Sequence, residues 1–221
     1  MIPVSVLVVA KAPVPGLAKT RLAADLGDDA AADIAAAALL DTLDAVAASG
    51  VAARVVALTG NLDDAQRCGE IRSRLEDFVV LEQRGTDFAD RLANAHADTA
   101  EATGGLPVLQ IGMDTPQVSP ELIGRCAQAL AANDAVLGMA RDGGWWVLGV
   151  TDAAMAECLR GVPMSVPDTG NQTLTALRHK GVDVELVGEL ADVDTIDDID
   201  TVRRDCRSDS RFRRITETVA R

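Results

Sequence analysis

The sequence predicts a three-layer α/β/α fold built on a mostly parallel sheet, and three observations carry that reading. Short β-branched runs alternate with alanine-rich amphipathic stretches, as in chains of β-α units. The apolar runs are continuous rather than alternating, which is the pattern of strands covered on both faces. The 221 residues, 48% hydrophobic and 25% charged, suffice for one sizeable core. No linker, repeat or low-complexity tract interrupts the pattern, so a single domain over 1–221 follows.

Taken in order, the predicted strands are Val4 to Val9, Val51 to Leu58, Phe78 to Leu81, Pro107 to Gly112 and Ala135 to Met139. The predicted helices between them are Asp28 to Ala48, Asp63 to Glu76, Thr86 to Ala102 and Ser119 to Ala132. Asp, Thr or Ser stands at several starts, and Gly50 and Asn133 lie near two ends. After Asp142 the pattern changes: WWVLGV reads as a strand with no helix of its own before it, and residues 160 to 175 read as irregular. VDVELVG, from Val182, is strand-like and leads into an acidic segment.

Charge and cysteine usage exclude several classes of function. A formal net charge of -13 and a pI near 4.5 do not suit a general nucleic-acid surface, because phosphate backbones select basic patches. The cysteines at 68, 126, 158 and 206 have no C-x-x-C spacing, which fits a reducing compartment better than a disulfide framework or a structural zinc site. The first apolar run lacks a basic flank and falls far short of the ~20 residues that span a bilayer, so a cytoplasmic protein with no membrane span is expected.

Four segments carry chemistry. In AKAPVPGLAKTRL, residues 10 to 22, two prolines, a glycine and three cations follow directly on the first strand, at the edge where doubly wound sheets bind ligands. The segment is not a P-loop, since Ala18 and Pro13 stand where that motif needs its glycines. Pro13 and Pro15 would stiffen the turn and Gly16 would permit close approach, while Lys11, Lys19 and Arg21 supply charge for phosphate oxygens. A solvated loop whose cations only offset an acidic surface fits equally well.

VLQIGMDTP places Asp114 at the end of a buried strand, where one carboxylate could anchor a hard divalent cation or merely cap the turn before Ser119. In ARDGGWWVLGV, Gly143 and Gly144 allow close backbone approach, and Asp142 is either a functional carboxylate or a turn residue. Trp145 and Trp146 must face opposite sides of their strand, so one lines a pocket and the other is core. In ELADVDTIDDID, Thr195 and Asp198 have capping-box spacing, so Asp197, Asp198 and Asp200 read as a helix start; Asp192 and Asp194 precede it and are freer for function.

Together, AKAPVPGLAKTRL, IGMDTP, DGGWWVLGV and DVDTIDDID resemble, in that order, the DUF2064 proteins, glycosyltransferase-like proteins of the GT-A or nucleotide-diphospho-sugar transferase fold. The resemblance spans about residues 4 to 200. More distantly, the K-T-R-L and D-V-D-T elements are similar to the guanylyltransferases that activate 2-phospholactate or phosphoenolpyruvate in coenzyme F420 synthesis. The chain departs from the family pattern at Trp145 and Trp146, where tyrosines are usual. It departs also at Met113, usually small, and at Pro163, Met164, Ser165 and Val166, which replace a Trp-Ser-Thr stretch.

The resemblance implies a Rossmann-like GT-A fold with a nucleotide over the carboxyl ends of the first strands. It further implies Mg2+ or Mn2+ on Asp114, with Asp194 or Asp192 as second ligand, and phosphates beside Lys19 and Arg21. The expected activity is a metal-dependent transferase with a nucleotide or nucleotide-sugar donor and a small-molecule acceptor. Glycosyl transfer would use Asp142 as base, with Gly143, Gly144 and Trp145 lining the pocket. Nucleotidyl transfer from a nucleoside triphosphate to a small phosphorylated acceptor, with release of pyrophosphate, needs no such base. A degenerate nucleotide-binding module would keep the fold without turnover.

Overall fold

The structure is a computed structural model and describes residues 1–217 and Val219. Its strands are β1 (Ile2–Lys11), β2 (Val51–Thr59), β3 (Val79–Glu82), β4 (Val108–Gly112), β5 (Ala135–Ala140), β6 (Trp145–Val150) and β7 (Val184–Leu190). Its helices are α1 (Thr20–Leu26), α2 (Asp28–Ala48), α3 (Cys68–Leu75), α4 (Phe88–Ala102), α5 (Pro120–Leu130), α6 (Thr169–His179), α7 (Ile196–Asp205) and α8 (Arg211–Thr216). Tighter 3-10 segments run over Leu62–Asp64 and Ala153–Gly161.

The seven strands form one sheet in the order β3-β2-β1-β4-β6-β5-β7. Neighbouring pairs are parallel except where β6 runs antiparallel between β4 and β5. The consequence for function is directional. The six parallel strands all end at one edge, so the loops after β1, β2, β4, β5 and β7 share that edge.

Side-chain alternation along β1 divides the core. Val4, Val6, Val8 and Ala10 join Leu39, Leu40 and Leu43 of α2 and Ile123 of α5 on one face. Leu7 and Val9 join Leu92 of α4, Leu159 and Leu177 on the other. A third cluster around Phe212 and Leu22 packs α1, α7 and α8 against α2. The three predicted layers are therefore present, and α2 and β4 end where the sequence places them, at Ala48 and Gly112. No helix among the described residues is long and apolar enough to cross a membrane, and the four cysteines are free.

Four expectations need correction. The helix expected over Asp63 to Glu76 is broken: a 3-10 turn precedes it, Arg67 takes a left-handed φ of 53°, and α3 begins only at Cys68. The strand after Phe78 is not buried on both faces, because β3 is the sheet's edge and Val79 and Val80 face out. The stretch from 160 to 175 is only partly irregular, since α6 starts at Thr169, whose hydroxyl donates to backbone carbonyls of the preceding loop, Pro163 at 2.9 Å among them. The opening loop contains a short helix, α1, that its prolines hide.

One buried polar pair lies between layers. His96 of α4 and Gln110 of β4 are wholly or almost wholly buried, and neither the imidazole nitrogens nor Gln110 Oε1 has a well-formed hydrogen bond. Burial pulls the imidazole pKa down to about 4, with nearby Gln110 opposing weakly. The folded protein thus resists a proton that the unfolded chain accepts at its ordinary pKa near 6.5. Stability from this residue is full above pH 6.5 and is lost as pH falls from 6.5 towards 4, by about 3 kcal/mol in all. Replacing His96 with Asn should lower stability at pH 7, and the gap to wild type, followed by urea unfolding, should narrow steadily down to pH 4.5; a gap independent of pH would refute the assignment.

Candidate active site

Three aspartates arrive at the carboxyl edge by the same device. Asp114, Asp142 and Asp192 each stand two residues beyond the last residue of a parallel strand, β4, β5 and β7 respectively. The loops that carry them are pinned to one another. Val193 N–H donates to Asp114 O at 3.3 Å, Arg141 N–H donates to Leu190 O at 3.0 Å, and the Gln117 amide donates to Ala191 O. The β5–β6 turn is closed by Asp142 itself, whose Oδ1 accepts from Gly144 N–H at 2.8 Å. Gly143 has φ +91°, and an added Cβ would lie 1.8 Å from Pro167 O, so the next loop rests on a position only glycine fills.

The carboxylates crowd each other. Burial, then the charges of Asp114 and Asp142, push Asp192 up to about 6, against a partial offset from Lys19. Lys19 is the neutralising group: its Nζ lies 2.9 Å from Asp114 Oδ2, and its side chain is only 14% exposed. Burial pulls the ammonium pKa down, but the charge and hydrogen bond of Asp114, with Asp192 and Asp194 behind, outweigh it and hold the pKa above the ordinary lysine value. Lys19 reaches this position from a left-handed backbone at the start of α1, φ 49°.

Beside this group opens a cavity of about 420 Å³, within the range of small-molecule sites. Lys11, Asp114, Asp142, Gly144, Trp145 and Asp192 line it. The two tryptophans face opposite ways as alternation requires, Trp145 on the α4 side and Trp146 buried on the other face with its indole donating to Gly188 O at 2.8 Å; both nevertheless reach the cavity, which corrects the expectation that only one would line it.

The other predicted site residues are engaged elsewhere, Lys11 even though it lines the cavity. Lys11 Nζ donates to Leu17 O at 2.7 Å and so ties the opening loop to itself. Gly16, with φ +76°, makes that loop's turn beside Asp28 rather than lining the cavity. Arg21 is exposed and pairs with Asp194, so neither faces the cavity. Thr195 and Asp198 form the expected capping box, the Asp198 carboxylate accepting from Thr195 N–H at 2.7 Å. Among the described residues no set of three or more His, Cys, Asp or Glu is arranged as a metal cage.

Sequence reading missed a set of cavity residues because their signal is spatial. Gln83, whose amide donates to Ala10 O and Ala57 O at 2.8 and 2.9 Å, lies on the wall, as do Gln110 and Thr115, each 2% exposed with an unpartnered oxygen. Phe88 and Arg91 come from α4, where they look like ordinary amphipathic-helix residues.

Solved structures share this architecture. A protein from Desulfovibrio desulfuricans G20, proposed to be a nucleotide-diphospho-sugar transferase, superposes with TM-score 0.84 at 25% identity, covering 99% of this chain and 95% of that one. A nucleotidyl transferase from Methanothermobacter gives 0.57 at 18% identity over 91% and 96%. A Mycobacterium tuberculosis protein crystallised with manganese gives 0.54 at 18% over 90% and 97%. Likeness at the lower identities speaks for the fold alone. No curated protein matches the sequence significantly. The family model described as an uncharacterized protein conserved in bacteria, DUF2064, matches residues 42–166, and the chain belongs to that family.

Proposed function

We propose that the protein is a transferase acting on a nucleotide-activated donor, with a nucleotide sugar as that donor. The observation that carries the reading is the convergence of Asp114, Asp142 and Asp192 with the Lys19 ammonium at the carboxyl edge, beside a cavity of small-molecule size. The fold shared with the Desulfovibrio protein supports it.

The donor set suits a hard cation. Oxygen ligands from Asp114 and Asp192 would hold Mg2+ or Mn2+, and a cation there would relieve the repulsion that, with burial, raises the pKa of Asp192. Asp192 fits better than Asp194 as second ligand, because it lines the cavity and feels Asp114, whereas Asp194 is engaged by Arg21 at the surface. Such an ion would neutralise donor phosphates and help the diphosphate leave. Lys19 would set its ammonium beside the same phosphates, Arg21 would add charge from the surface once released from Asp194, and Lys11 with Gly16 shapes the loop that carries them. Asp142 would accept the proton of the acceptor hydroxyl as its oxygen attacks the sugar carbon and the bond to the nucleoside diphosphate breaks.

One observation favours a second reading, nucleotidyl transfer. Asp142 Oδ1 already accepts from Gly144 N–H, so this carboxylate has a turn-closing role that needs no base function. In that chemistry an ionised phosphate acceptor attacks the α-phosphorus, pyrophosphate leaves, and charge neutralisation carries the catalysis. Incubation with labelled nucleoside triphosphates and nucleotide sugars, with and without Mg2+ or Mn2+, separates the two by release of pyrophosphate or of nucleoside diphosphate. Neither product and no binding would sink both.

Replacing Lys19 and Arg21 together by Ala should weaken nucleotide binding about tenfold or more at low ionic strength, measured by titration calorimetry, with the deficit shrinking in high salt. Unchanged affinity would remove them from the phosphate site. The change Asp142→Asn should cut sugar transfer about 100-fold or more while leaving donor affinity intact; near-normal turnover would move the assignment to nucleotidyl transfer. For the metal, Asp114→Ala should abolish the upward shift in melting temperature that Mg2+ or Mn2+ produces with nucleotide present, while the variant still folds cooperatively.

A further inference from the structure

The cavity changes character along the sheet edge. Thr59, at the end of β2, and Gln83, just beyond β3, line it on one side, while Trp145, the first residue of β6, lines it on the other. Strand order puts β6 three steps from β2, about 14 Å at the ~4.8 Å spacing of paired strands, with Asp114 beyond β4 between them. A nucleotide lying over the first strands leaves the β6 side to the second substrate.

That side is walled with carbon. Ala140, Trp145, Met164 and Val166 line it, Trp145 and Met164 packing partly buried on the core and Val166 standing 37% exposed. Most polar groups there are already engaged. The Thr169 hydroxyl donates to Pro163 O and Val166 O, both at 2.9 Å, and accepts from Val166 N–H at 3.2 Å, while Gly144 N–H donates to Asp142 Oδ1 at 2.8 Å. What remains is Asp142 Oδ2, the Trp145 indole N–H and the hydroxyl of exposed Ser165, none with a hydrogen-bond partner among the described residues. Three polar groups do not satisfy the hydroxyls of a sugar ring, which would lose water against Met164 and Val166 without replacement. An apolar body loses nothing there, and its burial is favourable.

We propose that the β6 side of the cavity is an acceptor subsite for a hydroxyl compound with a flat apolar body, such as a phenol, rather than for a sugar. The body would lie against Trp145, Met164 and Val166, where ring faces and a thioether make favourable contacts. Its hydroxyl would turn towards Asp142 Oδ2, three residues before Trp145. The inference rests on the transferase reading, which sets the nucleotide over the first strands, and adds to it the chemical class of the acceptor.

The test is equilibrium dialysis of the full chain with naphthol and, separately, with methyl glucoside. Each is run without nucleotide and again with Mg2+ and a saturating concentration of each common nucleoside diphosphate. Wild type should bind naphthol about tenfold or more tightly than methyl glucoside, and nucleoside diphosphate should leave that affinity within about twofold. Val166→Asp, at an exposed position that spares the core, should weaken naphthol binding about tenfold or more; Trp145→Ala should do the same, with most binding retained in Trp145→Phe. Equal affinity for the two compounds, no naphthol binding by wild type, or full binding in Val166→Asp or Trp145→Ala would overturn the proposal. Competition between naphthol and a nucleoside diphosphate would also overturn it, by assigning the apolar wall to the base. Absence of nucleotide binding in wild type defeats the donor reading instead, and the nucleotide-free dialysis still reports on the subsite.

Discussion

The ion pair between Lys19 and Asp114 is what lets the carboxyl edge of this sheet exist as it does. Three aspartates brought together by parallel strands would repel, and the pressure is plain in Asp192, whose pKa rises to about 6. A single ammonium, 14% exposed and 2.9 Å from Asp114, offsets part of it. A buried pair of this kind contributes little net stability over an apolar alternative, since desolvation consumes much of the Coulomb gain. Its effect is to offset part of the repulsion among the carboxylates and to hold the lysine over the carboxyl edge.

The antiparallel strand β6 shapes the rest of the site. By returning between β4 and β5 it forces a tight turn at Asp142 to Gly144 directly above the cavity, and it delivers Trp145 to the wall. The segment from Pro163 to Asp168 then lies on that turn, with Pro167 O against Gly143 and Gly170 N–H donating to Gly143 O at 2.8 Å. This segment, like Met113 and the tryptophan pair, departs from its family's usual residues at Pro163 to Val166. Family resemblance therefore constrains the three edge aspartates more than the rim formed by Met164 and Ser165.

The opening loop has a different role from the one its residue types imply at first sight. Of its three cations, Lys11 closes the loop on Leu17, Arg21 engages Asp194 at the surface, and only Lys19 enters the carboxylate group. The prolines and Gly16 serve this division. They turn the chain sharply enough for α1 to start at Thr20 and bring Lys19 back over the sheet edge.

What the sequence determined by itself is whatever depends on local periodicity and chain direction. Continuous apolar runs alternating with amphipathic helices imply a covered, mostly parallel sheet, and that alone sends Asp114, Asp142 and Asp192 to one edge. Local rules also suffice for α2, for the Thr195–Asp198 capping box and for the opposite facing of Trp145 and Trp146. Tertiary structure alone decided which cations and carboxylates are neighbours, because Lys19 meets Asp114 across 95 residues of chain and Arg21 meets Asp194 across 173. It decided too that β3 is an exposed edge, since strand order leaves no local trace. Arg91 and Gln110 belong to the same class: their positions along helix and strand are ordinary, and only the cavity that distant elements enclose brings them to one wall.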